Sequence, residues 1–161
     1  MEAQKQMKIE IPPIGFVSRV SADENDRDKS LVARVVLNKE LTPALDGIEE
    51  WSHIYVIFWL DRVAQPTEPV LHHPGSGGGI FATRAPIHPN PIGLTLVELV
   101  KREENILWVR GLDAYEGTPV IDIKPYPDWG QGSFQVVTDF KFPGWLARIM
   151  ERQGEGNQVG G

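Results

Sequence analysis

The apolar residues of this chain fall in short β-branched and aromatic runs separated by turn-forming residues, and take helical spacing in one place only. Leu31 to Leu37 is such a run, with Arg34 on one face against Ala33 and Val35 on the other. Trp51 to Leu60 is longer, aromatic and β-branched, and predicts a central strand. Ile11 to Val20, punctuated by Pro12 and Pro13, predicts a first strand, followed by a polar turn from Ser21 to Ser30. Gly93 to Arg102, Asn105 to Gly111 and Pro119 to Tyr126 add three more strands, with a hairpin tip at Glu103-Glu104-Asn105. In the last of them Ile121 and Ile123 alternate with Asp122 and Lys124. Leu41 to Glu50 predicts a helical turn with Pro43 at its start and Gly47 at its end. Asp61 to Gly79 is a Pro/Gly-rich excursion, and Gly78 to Thr83 predicts a short strand leading out of it. Only Gly144 to Arg152 reads as a helix, with Trp145, Leu146, Ile149 and Met150 on one face.

Six or seven strands at short spacing with one helix imply a mainly β, single-domain β-barrel or strongly curved sheet, not βαβ units. The expected organisation is a polar lead-in over 1–10, a barrel domain over 11–152 with a short C-terminal helix, and a disordered tail over 153–161. A chain of 161 residues fits one such domain.

Composition then removes several classes of function. The absence of cysteine excludes a disulfide framework, a thiolate nucleophile and a zinc ribbon. Met1 to Lys8 lacks the apolar core of a signal peptide, and the longest apolar stretch, Ile54 to Leu60, is too short to span a bilayer, so a cytoplasmic protein with no membrane partner is the expectation. The net charge of −6 argues against a wide basic footprint on nucleic acid. Acids cluster in Asp23 to Asp28, which reads as a solvated turn, whereas between Arg62 and Leu94 the only acid is Glu68. A local contact with RNA or an anionic ligand survives there.

That neutral-to-basic region contains the most informative segment, Phe81 to Leu94. Pro86, Pro89 and Pro91 stiffen it and push Ala85, His88 and Asn90 toward extended or turn geometry. A rigid, polar-headed loop suits the wall of a binding site. Arg84, which looks buried and is boxed by Pro86, is placed to meet a carboxylate or phosphate. Other constellations fall to simpler readings. Gly75 to Gly79 has no Lys-Ser/Thr and no helix after it, so it is no phosphate loop; its glycines give a flexible lid or a close backbone approach. Ser76 lacks the strand-to-helix setting of a nucleophile elbow. His72 and His73, adjacent in an extended segment, point apart, and His53 reads as a hydrogen-bonded core histidine, so no metal is expected. Glu116-Gly117-Thr118-Pro119 reads by itself as a tight turn with Gly117 at positive φ, or as exposed amides beside a carboxylate.

Taken together, Ile14 to Val17, Gly47 to Leu60, the Phe81 to Leu94 loop with its Pro-Asn-Pro-Ile-Gly-Leu, and Asp113 to Tyr126 resemble the TsaA-like family, which includes the TrmO tRNA methyltransferases. The resemblance covers about Pro13 to Pro127. It implies a β-barrel that binds S-adenosylmethionine, commonly as a homodimer, and methylates N6 of threonylcarbamoyl-adenosine at tRNA position 37, in the anticodon loop. Carried over, the cofactor-binding residues would be Asp61, Arg62, Arg84, Leu94, Glu116, Gly117, Thr118 and Pro119, with His88 and Asn90 facing the incoming base as catalytic candidates. Four departures stand out. The loop after the first strand is acidic where relatives carry an Arg-Gln pair, Glu116 stands where Asp is common, and His88 stands where Arg is common. Longer bacterial members also carry a further C-terminal domain. Two other readings remain open: a non-catalytic S-adenosylmethionine-binding sensor or interaction module, and a methyltransferase acting on another RNA or a small molecule.

Overall fold

The computed structural model describes residues 7–21, 23, 25–130 and 133–156, the last four as backbone only. The elements are β1 (Gly15–Arg19), β2 (Val32–Leu37), β3 (His53–Trp59), β4 (Ile92–Glu103), β5 (Ile106–Arg110), β6 (Pro119–Tyr126) and α1 (Gly144–Gly156). The six strands close into an antiparallel barrel in the order β1-β2-β5-β4-β3-β6, as the runs of β-branched residues predict.

Register explains the core. Val17 pairs Val35, Val35 pairs Leu107, and Ile54 pairs Val97, so alternate side chains from every wall meet inside. Val17, Val35, Ile54, Val56, Leu107, Val109 and Val120 are fully buried there. A slip of one residue in any strand would turn these side chains to solvent, so the buried face holds the register. Arg34 lies on the outer face, as expected, donating to Ser18 Oγ at 2.8 Å and standing over the Trp108 ring.

Because every neighbouring pair is antiparallel, the connections alternate between the two barrel ends. Residues 20–31, 60–91 and 111–118 therefore share one end; 38–52 and the β4–β5 hairpin share the other. The second end is closed by two 3-10 turns, Lys39–Leu45 and Ile48–Glu50. Pro43 lies inside the first of these rather than at a helix start, and Gly47 opens the second rather than ending the first. Arg102 ties these turns down, donating to the carbonyls of Leu45 (3.1 Å) and Thr42 (3.3 Å) and to Glu49 (2.9 Å).

Several expectations shift. β1 begins at Gly15, because Pro12 and Pro13 have no N–H to give a ladder. His53 is half-buried on the outer face, its Nδ1 2.9 Å from Ser52 Oγ, and is no core histidine. Gly78 to Thr83 does not form a strand. Ile80–Ala82 is a 3-10 turn, with the Thr83 amide donating to the Ile80 carbonyl, and buried Ile80 anchors it. The C-terminal helix continues to Gly156, past the boundary at Arg152, and exposes Ile149 and Met150. Residues 157–161 of the expected tail lie outside the described residues. No helix among the described residues is long and apolar enough to cross a membrane.

Candidate functional site

The barrel wall is incomplete at the end that gathers 20–31, 60–91 and 111–118. β4 pairs β5 only from Glu98 onward, so its first half, Ile92 to Val97, is laddered to β3 alone. Beyond the last β4–β5 rung lies a cleft of about 680 Å³ between β4, the proline loop and the β1–β2 loop. Buried Phe58 and half-buried Leu60 form its apolar floor. Gly93 is required beside them: a Cβ there would lie 2.2 Å from the Phe58 ring.

The proline loop supplies one wall. Arg84 is exposed, not buried, and donates through Nη2 to the carbonyl of Leu94. This bond satisfies a β4 carbonyl and carries the guanidinium to the cleft, where Leu94 and His88 also lie. His88 Nε2–H donates to the Thr83 carbonyl at 3.0 Å, because a carbonyl can only accept, and its ring meets Phe81 edge-on. That bond fixes the tautomer and leaves Nδ1 as the acceptor.

The opposite wall comes from segments that carry no site motif of their own. Arg27 and Lys29 line the cleft. The loop holding them is acidic, yet its acids act inward: Asp23 caps the Asn25 amide (2.9 Å) and Asp26 caps the Asp28 amide (2.8 Å). Ser30 donates to Asp28 through both its hydroxyl and its amide, which holds that carboxyl below the usual aspartate range. The turn is solvated, as expected, and it also delivers two cations to the cleft. Asp113, also in the cleft, accepts the Thr95 hydroxyl at 2.7 Å and lies 3.5 Å from Lys29 Nζ.

Arg62 and Glu116 do meet. Arg62 Nη2 donates to the Glu116 carbonyl at 3.1 Å and stands 5.1 Å from the Tyr115 ring. Arg27 stands 4.9 Å from the same ring, so Tyr115 links this pair to the cleft. Asp61 and Arg62 are exposed at the end of β3, beside Leu60. The Glu116 to Pro119 turn is clamped rather than open. Gly117, at φ 77°, donates its amide to Val17; the Thr118 amide goes to Tyr115, and buried Thr118 returns its carbonyl to Val17. Glu116 accepts the Arg19 amide. The amides of Gly117 and Thr118 are therefore committed to the barrel, which corrects the idea of exposed donors there. Buried Arg19 completes the scaffold by donating to the carbonyls of Leu112 and Ala114, both at 3.0 Å, and of Asp28 at 2.7 Å.

Of the predicted site residues only Arg84, Leu94 and His88 line this cleft; Asp61, Arg62, Glu116, Gly117 and Thr118 stand outside its lining, and so do Asn90 and Pro119. Asn90 and Pro119 line a separate apolar hollow with Ile11, Pro13, Trp59 and Ile121, and Ile92 borders both spaces. Gly75 to Gly79 is folded on itself, with the Ser76 hydroxyl donating to His73 at 3.1 Å and Trp145 of α1 against Gly77. Close approach shows at Gly78, where a Cβ would lie 3.2 Å from that of Ala82, whereas Gly75, at φ 83°, has open space around it. Sequence reasoning missed Arg27, Lys29, Thr95, Tyr115 and Asp113. The one signal for the last two was their place within the Asp113 to Tyr126 motif.

The model of the tRNA-methyltransferase O N-terminal domain matches residues 22–129. A probable S-adenosyl-L-methionine-binding protein of Methanothermobacter thermautotrophicus is 44% identical over 126 residues, 74% of this chain and 91% of that protein. The mouse tRNA (adenine(37)-N6)-methyltransferase is 43% identical over 89 residues, which are 52% of this chain and 20% of the mouse protein. A crystal structure of TrmO from Pseudomonas aeruginosa superposes with a TM-score of 0.65 at 29% identity, covering 84% of this chain and 61% of that one.

Proposed function

The chain belongs to the family of the tRNA-methyltransferase O N-terminal domain, and from that premise we propose that it is an S-adenosylmethionine-dependent methyltransferase acting on N6 of adenosine 37 in tRNA, with the threonylcarbamoyl-modified base as acceptor. The observation that carries this reading is the opening in the barrel wall, where an apolar floor meets a cationic rim in a chain of net charge −6. A space of about 680 Å³ is of the size that takes a cofactor-sized molecule.

The residues present fit that cofactor. Phe58, Leu60 and Leu94 offer apolar surface to an adenosine, and Arg84 offers a guanidinium to a carboxylate. Arg62, Asp61 and Glu116 reach it from beyond Tyr115, with Gly117, Thr118 and Pro119 fixing the turn. Bound there, S-adenosylmethionine supplies an electrophilic methyl group on a sulfonium. The protein's share is to position the acceptor nitrogen in line and exclude water. His88 faces the incoming base, which is splayed out of the anticodon loop. Asn90 lies in the neighbouring hollow beyond Ile92 and takes no part in the transfer. Arg27 and Lys29 supply phosphate contacts where the acidic loop gave none to expect. The chain works in the cytoplasm as a homodimer, which covers apolar surface on the outer face at Phe16 and Ile92.

Incubation with labelled cofactor and total tRNA, with and without threonylcarbamoyl modification, tests the reading. Label at adenosine 37 of the modified tRNA alone is the expected result. A second reading has its own support: the relative matched over 91% of its length is named for binding the cofactor, not for transfer. Calorimetric cofactor binding with label in no RNA would establish that binding module, or a small-molecule acceptor, instead.

A further inference from the structure

We propose that Asp113 accepts the proton of the methyl-accepting nitrogen, with Thr95 as its positioning residue; this rests on the cleft being the site of methyl transfer, as argued above. Asp113 is the one carboxylate among the described residues lining the cleft, set against Arg27, Lys29 and Arg84. Its simplest alternative role, as the partner of Lys29, explains little. That pair is 3.5 Å apart with side chains 62% and 39% exposed, a geometry worth about 1 kcal/mol at most. The contact with Thr95 is tighter, 2.7 Å to Oδ1. Thr95 sits on β4 opposite Val56, in the rigid half of the sheet that borders the opening. It therefore aims the carboxylate, whose Oδ2 faces Lys29 Nζ across 3.5 Å.

Position and chemistry agree. Thr95 follows Leu94, and Asp113 precedes Tyr115 and Glu116, so the carboxylate lies between the two stretches proposed to hold the cofactor. A nitrogen that carries a carbamoyl group has its lone pair delocalised and must lose its proton to become a competent nucleophile. His88, whose Nδ1 is left free to accept while Nε2–H donates to Thr83, lines the same cleft and is the competing acceptor that the Asp113 variants below distinguish. In the step itself the N–CH₃ bond forms as the S–CH₃ bond breaks, with that electron pair staying on sulfur. The N–H proton passes to Asp113 and from there to solvent.

The test is a single-turnover assay on Asp113→Asn, with Asp113→Glu and Thr95→Val beside it, and calorimetry for the cofactor alone. Asn keeps the Thr95 hydrogen bond but cannot take the proton. Its methyl-transfer rate at saturating cofactor and tRNA falls about 100-fold, the scale of a lost general base, while cofactor and tRNA affinities stay within about twofold. Thr95→Val slows transfer less, and Asp113→Glu recovers part of the rate. A wild-type rate in Asp113→Asn overturns the proposal. So does weakened cofactor binding with an unchanged saturated rate, which would make Asp113 a cofactor ligand. Wild-type protein that binds cofactor but labels no RNA would overturn the functional reading itself, and this proposal with it.

Discussion

The two ends of the barrel solve the same problem in opposite ways. At each, an arginine gathers loop carbonyls that no strand satisfies. Arg102, with only 13% of its side chain exposed, pulls the 3-10 turns of 39–50 across its end and shuts it. Arg19 joins Leu112, Ala114 and Asp28, drawing the β5–β6 and β1–β2 connections together while the wall beside them stays open. One clamp makes a floor. The other makes a frame, and the frame is where the charged and titratable side chains converge. Similar hydrogen bonding thus yields a plug or a site, depending on whether the neighbouring strand ends early.

Substitutions can break that contrast. Arg19→Ala has the largest expected effect: it strands the carbonyls of Leu112 and Ala114 in buried positions, removes the contact with Asp28, and costs about 3 kcal/mol by the scale of unsatisfied buried groups. Thermal unfolding should show that loss, and cofactor affinity should fall with it, because the β5–β6 connection it holds at Ala114 leads directly into Glu116. Arg102→Ala loses about 2 kcal/mol, since its partners are closer to solvent. At a temperature where it is folded, its methyl-transfer rate should match wild type; a slowed rate would show that the ends are coupled. Arg84→Ala reverses the pattern. Its exposed guanidinium contributes little to stability, and its loss weakens cofactor binding by about 1–2 kcal/mol, read by calorimetry. Ser30→Ala is the mildest. Without the Ser30 hydroxyl, Asp28 titrates closer to the ordinary aspartate value, an upward shift visible by NMR. A depressed folded value stabilises above the unfolded one and is lost as pH falls through the folded one. The variant should therefore show a smaller acid-side loss of stability than wild type.

The floor end and the strands were readable from local pattern. Ala33, Val35 and Leu37 alternate with Arg34, and the buried face follows from spacing alone. The frame was readable only in part. Arg84, Leu94 and His88 are neighbours along one stiff loop, so they arrive at the cleft together. Thr95 and Asp113, or Arg27 and Tyr115, are joined by closure of the sheet, which no local period encodes. Proline stiffness also misled on direction: Asn90 belongs to the same rigid loop as His88 yet faces the other hollow. The acidic loop misled for a different reason. Net charge counts carboxylates without placing them: Asp23, Asp26 and Asp28 keep their charge but accept amides of their own turn, while Arg27 and Lys29 line the cleft.

The point at which β5 lets go of β4 has a consequence for how such a site can vary. The width of the opening is set by the number of rungs in a ladder that ends at the Glu98–Arg110 pair. Adding or removing a rung would narrow or widen the aperture with every lining side chain unchanged. Aperture and chemistry are thus inherited through separate residues, and a different acceptor could be admitted by strand length alone.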